Sequence, residues 1–487
     1  MEDEYAAPVV SFALEDASST SAGARVGTLT LSTRDAACTV VQTFETPGVI
    51  SHAPRGAIAH LTPDNARRSL PRTAAAGVHL SLEHFLDVTP PPFSRAPFPL
   101  ARFIGLSPTP TPTERDRVLI SLGLNAPPSP FLPRDAAAPT NGDTAAVAFA
   151  TRGIVKVSPQ TYLDWTLPRP PDLLFALADE PREQHDASGM TRKRAEKSIR
   201  RSLAWLDEIA HGAQDRTNVF ATLVGGRDEA RRTEFARALL GTASSRASAA
   251  VDPARPLDPL VAGYVVTCGP AAASAAAELF AASLAPLPRT KPRVAVAPSG
   301  PHEILRLVLD VGIDLFVESG VSSPTDTPLS PSSDSRRREI GTNLYLEEHA
   351  MAFTPLSTST LAPRPPSLAP TTRSYVHHLL LAHELTAHVL LALHNHGVMT
   401  AFFASIRAVL AAGGIERFRR EVERFEARYA APVPNKSESG PDDGDTDRRQ
   451  YRVVTEARKS WTVVNAARGK GSQREKALEV EGVEQPV

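Results

Sequence analysis

KPRVAVAPSGPHEILRLVLDVGIDLFVES, residues 291–319, is the stretch whose reading decides the fold. RVAVAP (293–298) is a short apolar strand, HEILRLVLDVG (302–312) carries apolar residues at helical spacing and ends on glycine, and IDLFVES (313–319) is a second strand. The same alternation extends upstream. VAGYVVT (261–267) precedes an alanine-rich helix over 271–284, and NVFATLV (218–224) precedes a helix around Arg227–Leu240. DLLFALA (172–178) precedes a long helix from Arg192 to Ala210, and AVAFATRGIVKVS (146–158) reads as a strand leading into a helix at Gln160–Trp165. Apolar strands alternating with longer helices indicate βα units on a parallel sheet. Five or more such units favour a (β/α)8 barrel, with a doubly wound sheet as the alternative. No GxGxxG or GxxxxGK[ST] follows any of these strands, which weakens the alternative.

Residues 9–31 alternate apolar and polar positions around a Ser/Gly-rich turn, as an antiparallel strand pair does. VSSPTDTPLSPSSDSRRR (321–338) and VPNKSESGPDDGDTDR (433–448) are too polar and breaker-rich for a core and read as an insert and a linker. Between them a helical subdomain is expected over 373–430, ending in the amphipathic IERFRREVERFEARY. The expected organisation is therefore one barrel unit over 1–430 and a mostly flexible tail over 431–487.

Composition limits the function. The 44 prolines gather in stretches such as LDVTPPPFSRAPFPL and LAPRPPSLAPTT, which read as loops and spacers rather than core. Lys+Arg number 53 against 54 Asp+Glu, so the whole chain lacks the signature of an independent nucleic-acid binder, and any RNA contact must be local or borrowed. The two cysteines, Cys38 and Cys268, are too few for a disulfide framework or an all-thiolate metal site, which suggests a reducing compartment. The start Met1-Glu2-Asp3-Glu4 is unlike a secretory signal or an Arg-rich presequence. The apolar stretch Leu379–Leu393 is interrupted by His383, Glu384 and His388 and reads as a buried helix rather than a membrane span. A cytoplasmic protein is expected.

Three constellations could carry chemistry. The first is a histidine-dense segment holding His377, His378, His383, His388, His394 and His396. HELTAH resembles HExxH, but on a regular helix His383 and His388 would sit about 140° apart around the axis, so a packing helix at a subunit surface is the simpler reading. The second is a basic helix with Arg192, Lys193, Arg194, Lys197, Arg200 and Arg201, its apolar stripe formed by Ile199, Leu203, Leu206 and Ile209. That face is either simply solvated or a phosphate-contacting stripe. The third is the set of barrel-strand ends, where active sites of barrels lie. They offer Asp179, Glu180, Gly225, Gly226, Cys268, Pro298, Ser299, Val317 and Glu318, and no nucleophile–base pair is evident among them.

RSYVHHL (373–379), EL (384–385) and LLALHN (390–395) resemble the C-terminal signature of the tRNA-guanine transglycosylase family. PRGAIAHLTPDN (54–65), KRAEKSIRRSLAWLD (193–207) and the 291–316 stretch resemble further segments of its non-catalytic eukaryotic branch, so the likeness runs from about residue 24 to about 430. The resemblance implies a modified (β/α)8 barrel and, in catalytic members, exchange of guanine in tRNA for queuine or a precursor through a covalent ribosyl-enzyme intermediate. It places the nucleophilic aspartate of those members at Val317, which follows Gly312, Asp314 and Phe316. Valine cannot attack a ribose carbon, and no D-S-G-G-F-Q-like turn supplies the second acid. Glu318, one residue on, is expected to face the other side of the strand.

The resemblance also implies a structural zinc held by three cysteines and the histidine of L-x-x-H-N, here His394. The segment before Arg373 contains no cysteine, so tight zinc is not expected; a true loss and a misread transcript across 357–372 both remain open. The remaining implications are a heterodimer with a catalytic subunit, pairing through Tyr375, His377, His378, His383 and Glu384, and tRNA contact through Arg192, Lys193, Lys197, Arg200 and Arg201. A cytoplasmic site, with peripheral attachment to the mitochondrial outer membrane as a variant, follows by the same analogy. The alternative from another class is an independent barrel enzyme using Cys268 or Glu318 on a nucleoside-like ligand.

Overall fold

The computed structural model describes residues 7–15, 23–32, 40–69, 77–107, 118–125, 141–150, 153–180, 191–214, 216–243, 252–267, 273–298, 300–318, 344–356 and 371–429. The insert over 321–338, the tail over 431–487 and the residues Cys38, Cys268 and Ser299 lie outside the described residues.

The N-terminal segment forms a three-stranded antiparallel sheet, β1 (Val9–Leu14), β2 (Gly27–Ser32) and β3 (Val40–Thr46), one strand more than the expected pair. The chain then enters the barrel with β4 (Gly48–His52), β5 (Gly77–Ser81) and β6 (Leu119–Gly123). Sequence reading begins the βα units only at 146, so these first three strands are additions. Each spans five residues, and between them lie helical turns and proline-rich connections, α1 (Pro63–Ser69) and α2 (Leu100–Phe103). PPPFSRAPFPL is not a bare spacer: Phe93 and Leu100 are buried in the main core.

AVAFATRGIVKVS is corrected from one strand to two. Strands β7 (Ala146–Ala150) and β8 (Gly153–Val157) pair with each other as a hairpin outside the barrel. Gly153 sits at φ 127°, a conformation that a residue with a Cβ rarely adopts. After α3 (Pro159–Thr166) the barrel resumes with β9 (Leu173–Phe175), then α4 (Arg192–Gly212), β10 (Asn218–Thr222), α5 (Glu229–Leu239), β11 (Gly263–Thr267) and α6 (Ala273–Leu284). It ends with β12 (Arg293–Val296), α7 (Pro301–Arg306) and its continuation through Val311, and β13 (Leu315–Glu318). β13 pairs in parallel with β4 and closes an eight-stranded barrel.

Alternation along the strands sorts the side chains. Ile50, Leu119, Leu173, Phe175, Phe220, Val265, Val294, Val296, Leu315 and Val317 pack together inside the barrel with Leu29, Leu31 and Phe44 of the N-terminal sheet, which plugs the lower end. The intervening positions, Val78, Leu80, Ile120, Leu122, Leu174, Tyr264, Val266, Ala295 and Phe316, face the helices. At the lower end Asp314 accepts from Arg25 Nε at 2.8 Å and from the Arg293 amide at 2.7 Å, with Arg25 and Asp314 both fully buried. The motif aspartate of GIDLF is therefore a structural anchor for the N-terminal sheet. Gly312, at φ 71°, turns the chain there against the Gly23 backbone, where a Cβ would meet the carbonyl oxygen at 2.5 Å.

The histidine-rich segment, read as one helix, is two. α8 (Arg373–Leu381) and α9 (Leu385–Arg428) are separated by a turn in which His383 adopts φ 57°. The angular argument about His383 and His388 on a regular helix therefore does not apply, because they lie on different elements. α8 has a small core of its own with Leu344, Leu356, Val376, Leu379, Leu380, Ala387 and Leu391. α9 instead supplies Phe403, Ile406, Leu410, Phe418 and Val422 to the main core, with the Phe403 ring tilted against Phe316 of β13 at 5.5 Å between centroids, and it serves as the eighth helix of the barrel. It is the one helix among the described residues whose length and composition would suit a membrane, but its buried side is barrel packing.

Candidate functional site at the barrel mouth

The inward positions at the C-terminal ends of the strands differ sharply around the ring. On β12 and β13 they are Val296 and Val317, both buried and aliphatic. On β4, β5 and β6 they are His52, His79, Ser81 and Ser121, all buried. Parallel pairing sets His52 beside His79, with ring centroids 6.0 Å apart, and His84 after β5 brings a third ring 5.8 Å from His52. His52 Nε2 meets Ser81 Oγ at 3.1 Å, and His79 Nδ1 meets Ser121 Oγ at 3.0 Å. The His79 ring also stacks on Phe175 at 5.0 Å. Burial, then the neighbouring His52 and His84, hold the His79 imidazole well below its ordinary range, so it is neutral at pH 7. This half of the mouth is a hydrogen-bonding wall of histidines and serines able to hold a planar polar group, and the buried Glu83 that follows β5 accepts from the Phe149 amide at 3.3 Å.

The sequence-derived candidates distribute differently. Val317 lies inside the barrel, fully buried among Leu315, Val296 and Ile50. Glu318 faces outward as expected, paired in register with Ser51, whose Oγ meets His396 Nε2 at 3.2 Å. Burial alone pushes the Glu318 carboxyl up to about 7 and the His396 imidazole down to about 4. Both groups belong to the seam between barrel and α9 rather than to the mouth.

Asp179 is not a free acid at a strand end. It takes both guanidinium nitrogens of Arg194, at 2.6 and 2.7 Å, Arg201 at 3.1 Å and the Asn141 amide at 2.7 Å. Burial pushes its carboxyl up, but Arg194, Asn141 and Arg201 outweigh that and hold it below the usual range. Arg201 is corrected accordingly: it is buried between Asp179 and Asp143 and is not part of an exposed basic face. Arg192, Lys193, Lys197 and Arg200 remain on the outer side of α4, with Arg192 paired to Glu196 at 2.9 Å.

Of the residues expected to face a partner subunit, Tyr375, His378, His383 and Glu384 are exposed. His377 is corrected: it is buried, and its Nδ1 meets the Leu344 carbonyl at 2.8 Å, so it anchors the small core instead. Of the apolar residues around them, sequence reasoning named Tyr375 and missed Met351, Phe353, Leu381 and Leu385. Met351, Phe353, Tyr375, Leu381 and Leu385 are large, exposed and concentrated in this one subdomain, with Leu385 63% exposed.

His394 is buried on α9. Among the described residues no three His, Cys, Asp or Glu side chains gather as a metal site, and the sequence after residue 268 has no cysteine. The donor set does not fit a closed tetrahedral zinc site. Sequence reasoning also missed His52, His79, Ser81 and Ser121. The signal was present in GVHLS, where His79 and Ser81 recur with period two inside a short strand, and in ISLG, where Ser121 interrupts an apolar run.

Fold and mouth together define a (β/α)8 protein of the class that presents its ligand-facing residues at the C-terminal strand ends. The sequence profile of the queuine tRNA-ribosyltransferase family matches residues 19–428, and the chain belongs to that family. Similar proteins include the queuine tRNA-ribosyltransferase accessory subunit 2 of Schizosaccharomyces pombe, 32% identical over 175 residues, covering 33% of this chain and 38% of that protein. The accessory subunit 2 of Danio rerio is 25% identical over 422 residues, covering 78% of this chain and 92% of its own. The queuine tRNA-ribosyltransferase of Caulobacter vibrioides is 30% identical over 148 residues, covering 29% of this chain and 35% of that protein.

Proposed function

We propose that this chain is the non-catalytic subunit of a heteromeric queuine tRNA-ribosyltransferase, supporting a catalytic partner that exchanges guanine for queuine at the wobble position of GUN-anticodon tRNAs. The observation that carries this reading is Val317: the inward, mouth-end position of β13, which holds the family's nucleophile by resemblance, is a buried valine in an aliphatic cluster. The relatives that share most of its length are named as accessory subunits. Glu318 cannot substitute, because it faces the α9 seam. The same geometry weakens the reading as an independent enzyme built on Glu318.

Pairing with the catalytic subunit uses the exposed apolar cluster of Met351, Phe353, Tyr375, Leu381 and Leu385, rimmed by His378, His383 and Glu384. tRNA is met through Arg192, Lys193, Lys197 and Arg200 on α4, within the assembled complex. The chain holds no tight zinc through His394. Its site in the cell is the cytoplasm, with peripheral attachment to the mitochondrial outer membrane as a second location, which fractionation with and without alkaline wash would read.

The test is guanine exchange with labelled tRNA. The purified chain alone should show none, and co-expression with the catalytic subunit should produce an active complex; robust exchange by the chain alone ends the proposal. Replacing Tyr375 and Leu385 together by alanine should weaken the heterodimer about 10- to 100-fold, as truncation of apolar interface anchors does. An undiminished complex would move the interface elsewhere.

A further inference from the structure

The turn before the β7–β8 hairpin and the first turns of α4 meet at the rim of the barrel mouth through a set of ion pairs. Arg194, Lys197, Arg200 and Arg201 converge there on the carboxylates of Asp179 and Asp143. Asp179 is buried and absorbed by Arg194 and Arg201. Asp143 is different: its side chain is 60% exposed, and its single Oδ1 faces Arg201 Nε at 2.6 Å, Arg200 Nη2 at 3.5 Å and Lys197 Nζ at 3.9 Å. Three cations around one carboxylate oxygen are the arrangement that a phosphoryl oxygen also satisfies.

The turn carrying that oxygen is held firmly. Trp205 Nε1 donates to the Asp143 carbonyl at 3.0 Å, the Gly142 amide to the Ala145 carbonyl at 2.9 Å, and the Val147 amide to Asn141 Oδ1 at 2.8 Å. Arg201 is buried behind it, whereas Arg200 and Lys197 are about half exposed and open to an incoming anion. Hydrogen bonding from Arg201, followed by the charges of Arg201, Lys197 and Arg200, keeps the Asp143 carboxyl below its usual range, so it is anionic throughout the neutral region.

We infer that Lys197 and Arg200, backed by Arg201, form a phosphodiester-binding site on the mouth rim, and that Asp143 is a built-in competitor for the RNA backbone at that site. The inference rests on the reading that α4 faces tRNA and refines it. A phosphate approaching Lys197 and Arg200 must share them with a fixed carboxylate. The chain therefore meets RNA only weakly at this point until other contacts of the complex hold the RNA in place.

The experiment measures binding of unmodified tRNA to the full chain in complex with its catalytic subunit, across a series of salt concentrations. Asp143→Asn should tighten binding about 3- to 10-fold at low salt and steepen the salt dependence, while Lys197→Ala and Arg200→Ala should weaken binding and each reduce the salt slope by about one. Asp143→Glu should behave as the parent. Asp143→Ser, with thermal melting of each complex, separates loss of fold from loss of charge, and tighter binding by a folded serine variant supports the inference equally. If Lys197→Ala and Arg200→Ala weaken binding but removal of the Asp143 charge changes nothing, the competitor role is overturned while the RNA reading of α4 stands. If none of the three positions affects binding, both fail.

Discussion

The two halves of the barrel mouth were built by the same strand geometry and hold opposite chemistry. Over β4–β6 the inward positions are His52, His79, Ser81 and Ser121, joined by hydrogen bonds at 3.1 and 3.0 Å. Over β12–β13 they are Val296 and Val317, part of an apolar cluster that runs down to the N-terminal plug. One half keeps a polar wall suited to recognition, and the other has become core. Aliphatic packing on that side is what the proposed non-catalytic role rests on. A buried carboxylate at Val317 would need desolvation that no described neighbour compensates.

The largest disturbance of this contrast is expected from Val317→Asp. Placing a lone acid in the aliphatic half should destabilise the chain by about 3–5 kcal/mol, read as a lower urea midpoint, and should not create exchange activity. Exchange by this variant alone would show that the polar half still carries the rest of a working site, and the contrast would collapse.

A smaller effect is expected on the other side. His79→Leu removes the bond to Ser121 and leaves its hydroxyl buried, at a cost of about 1–3 kcal/mol at pH 7.5. The sign with pH is opposite to that of an ion pair. His79 is held neutral by burial, so its contribution is present above the ordinary histidine range and is lost as pH falls below it. The leucine variant should therefore lose less stability than the parent on acidification below about pH 6.5. Identical acid limbs would mean that His79 takes up its proton without penalty, contrary to the closed polar wall described.

The smallest effect belongs to the seam behind the aliphatic half. Glu318 titrates near 7 because of burial, so its neutral form suits the fold, and stability falls as pH rises from the ordinary glutamate range through about 7. Glu318→Gln should match the parent at about pH 5 and exceed it at about pH 8 by about 1 kcal/mol, after allowance for partial exposure. His396 works in the other direction, since its neutral form is favoured and stability falls as pH drops from the ordinary histidine range towards about 4. A Glu318→Gln chain with an unaltered alkaline limb would place the carboxyl in water and detach it from the seam.

Legibility in the sequence followed length and context. The later βα units were readable because DLLFALA, NVFATLV, VAGYVVT and RVAVAP are compact apolar runs bounded by long periodic helices. The first three barrel strands were not, because GVISH, GVHLS and LISLG contain polar inward residues and sit among prolines. Their histidines and serines look like loop chemistry until the barrel closes around them. AVAFATRGIVKVS misled in the opposite sense, since a hairpin of two five-residue strands has the same apolar content as one long strand.

The sequence by itself determined the family and the barrel, because these depend on motif strings and on the alternation of strand and helix; that Val317 stands at the nucleophile position is what the resemblance implies. Only the tertiary structure decided which charges are available. It withdrew Arg201 and Asp179 into a buried network, turned His377 inward and Glu318 towards α9, and set Asp143 opposite Lys197 and Arg200 across 54 and 57 positions of sequence. Burial and pairing are properties of distance in space, and a one-dimensional pattern specifies neighbours along the chain but not across it.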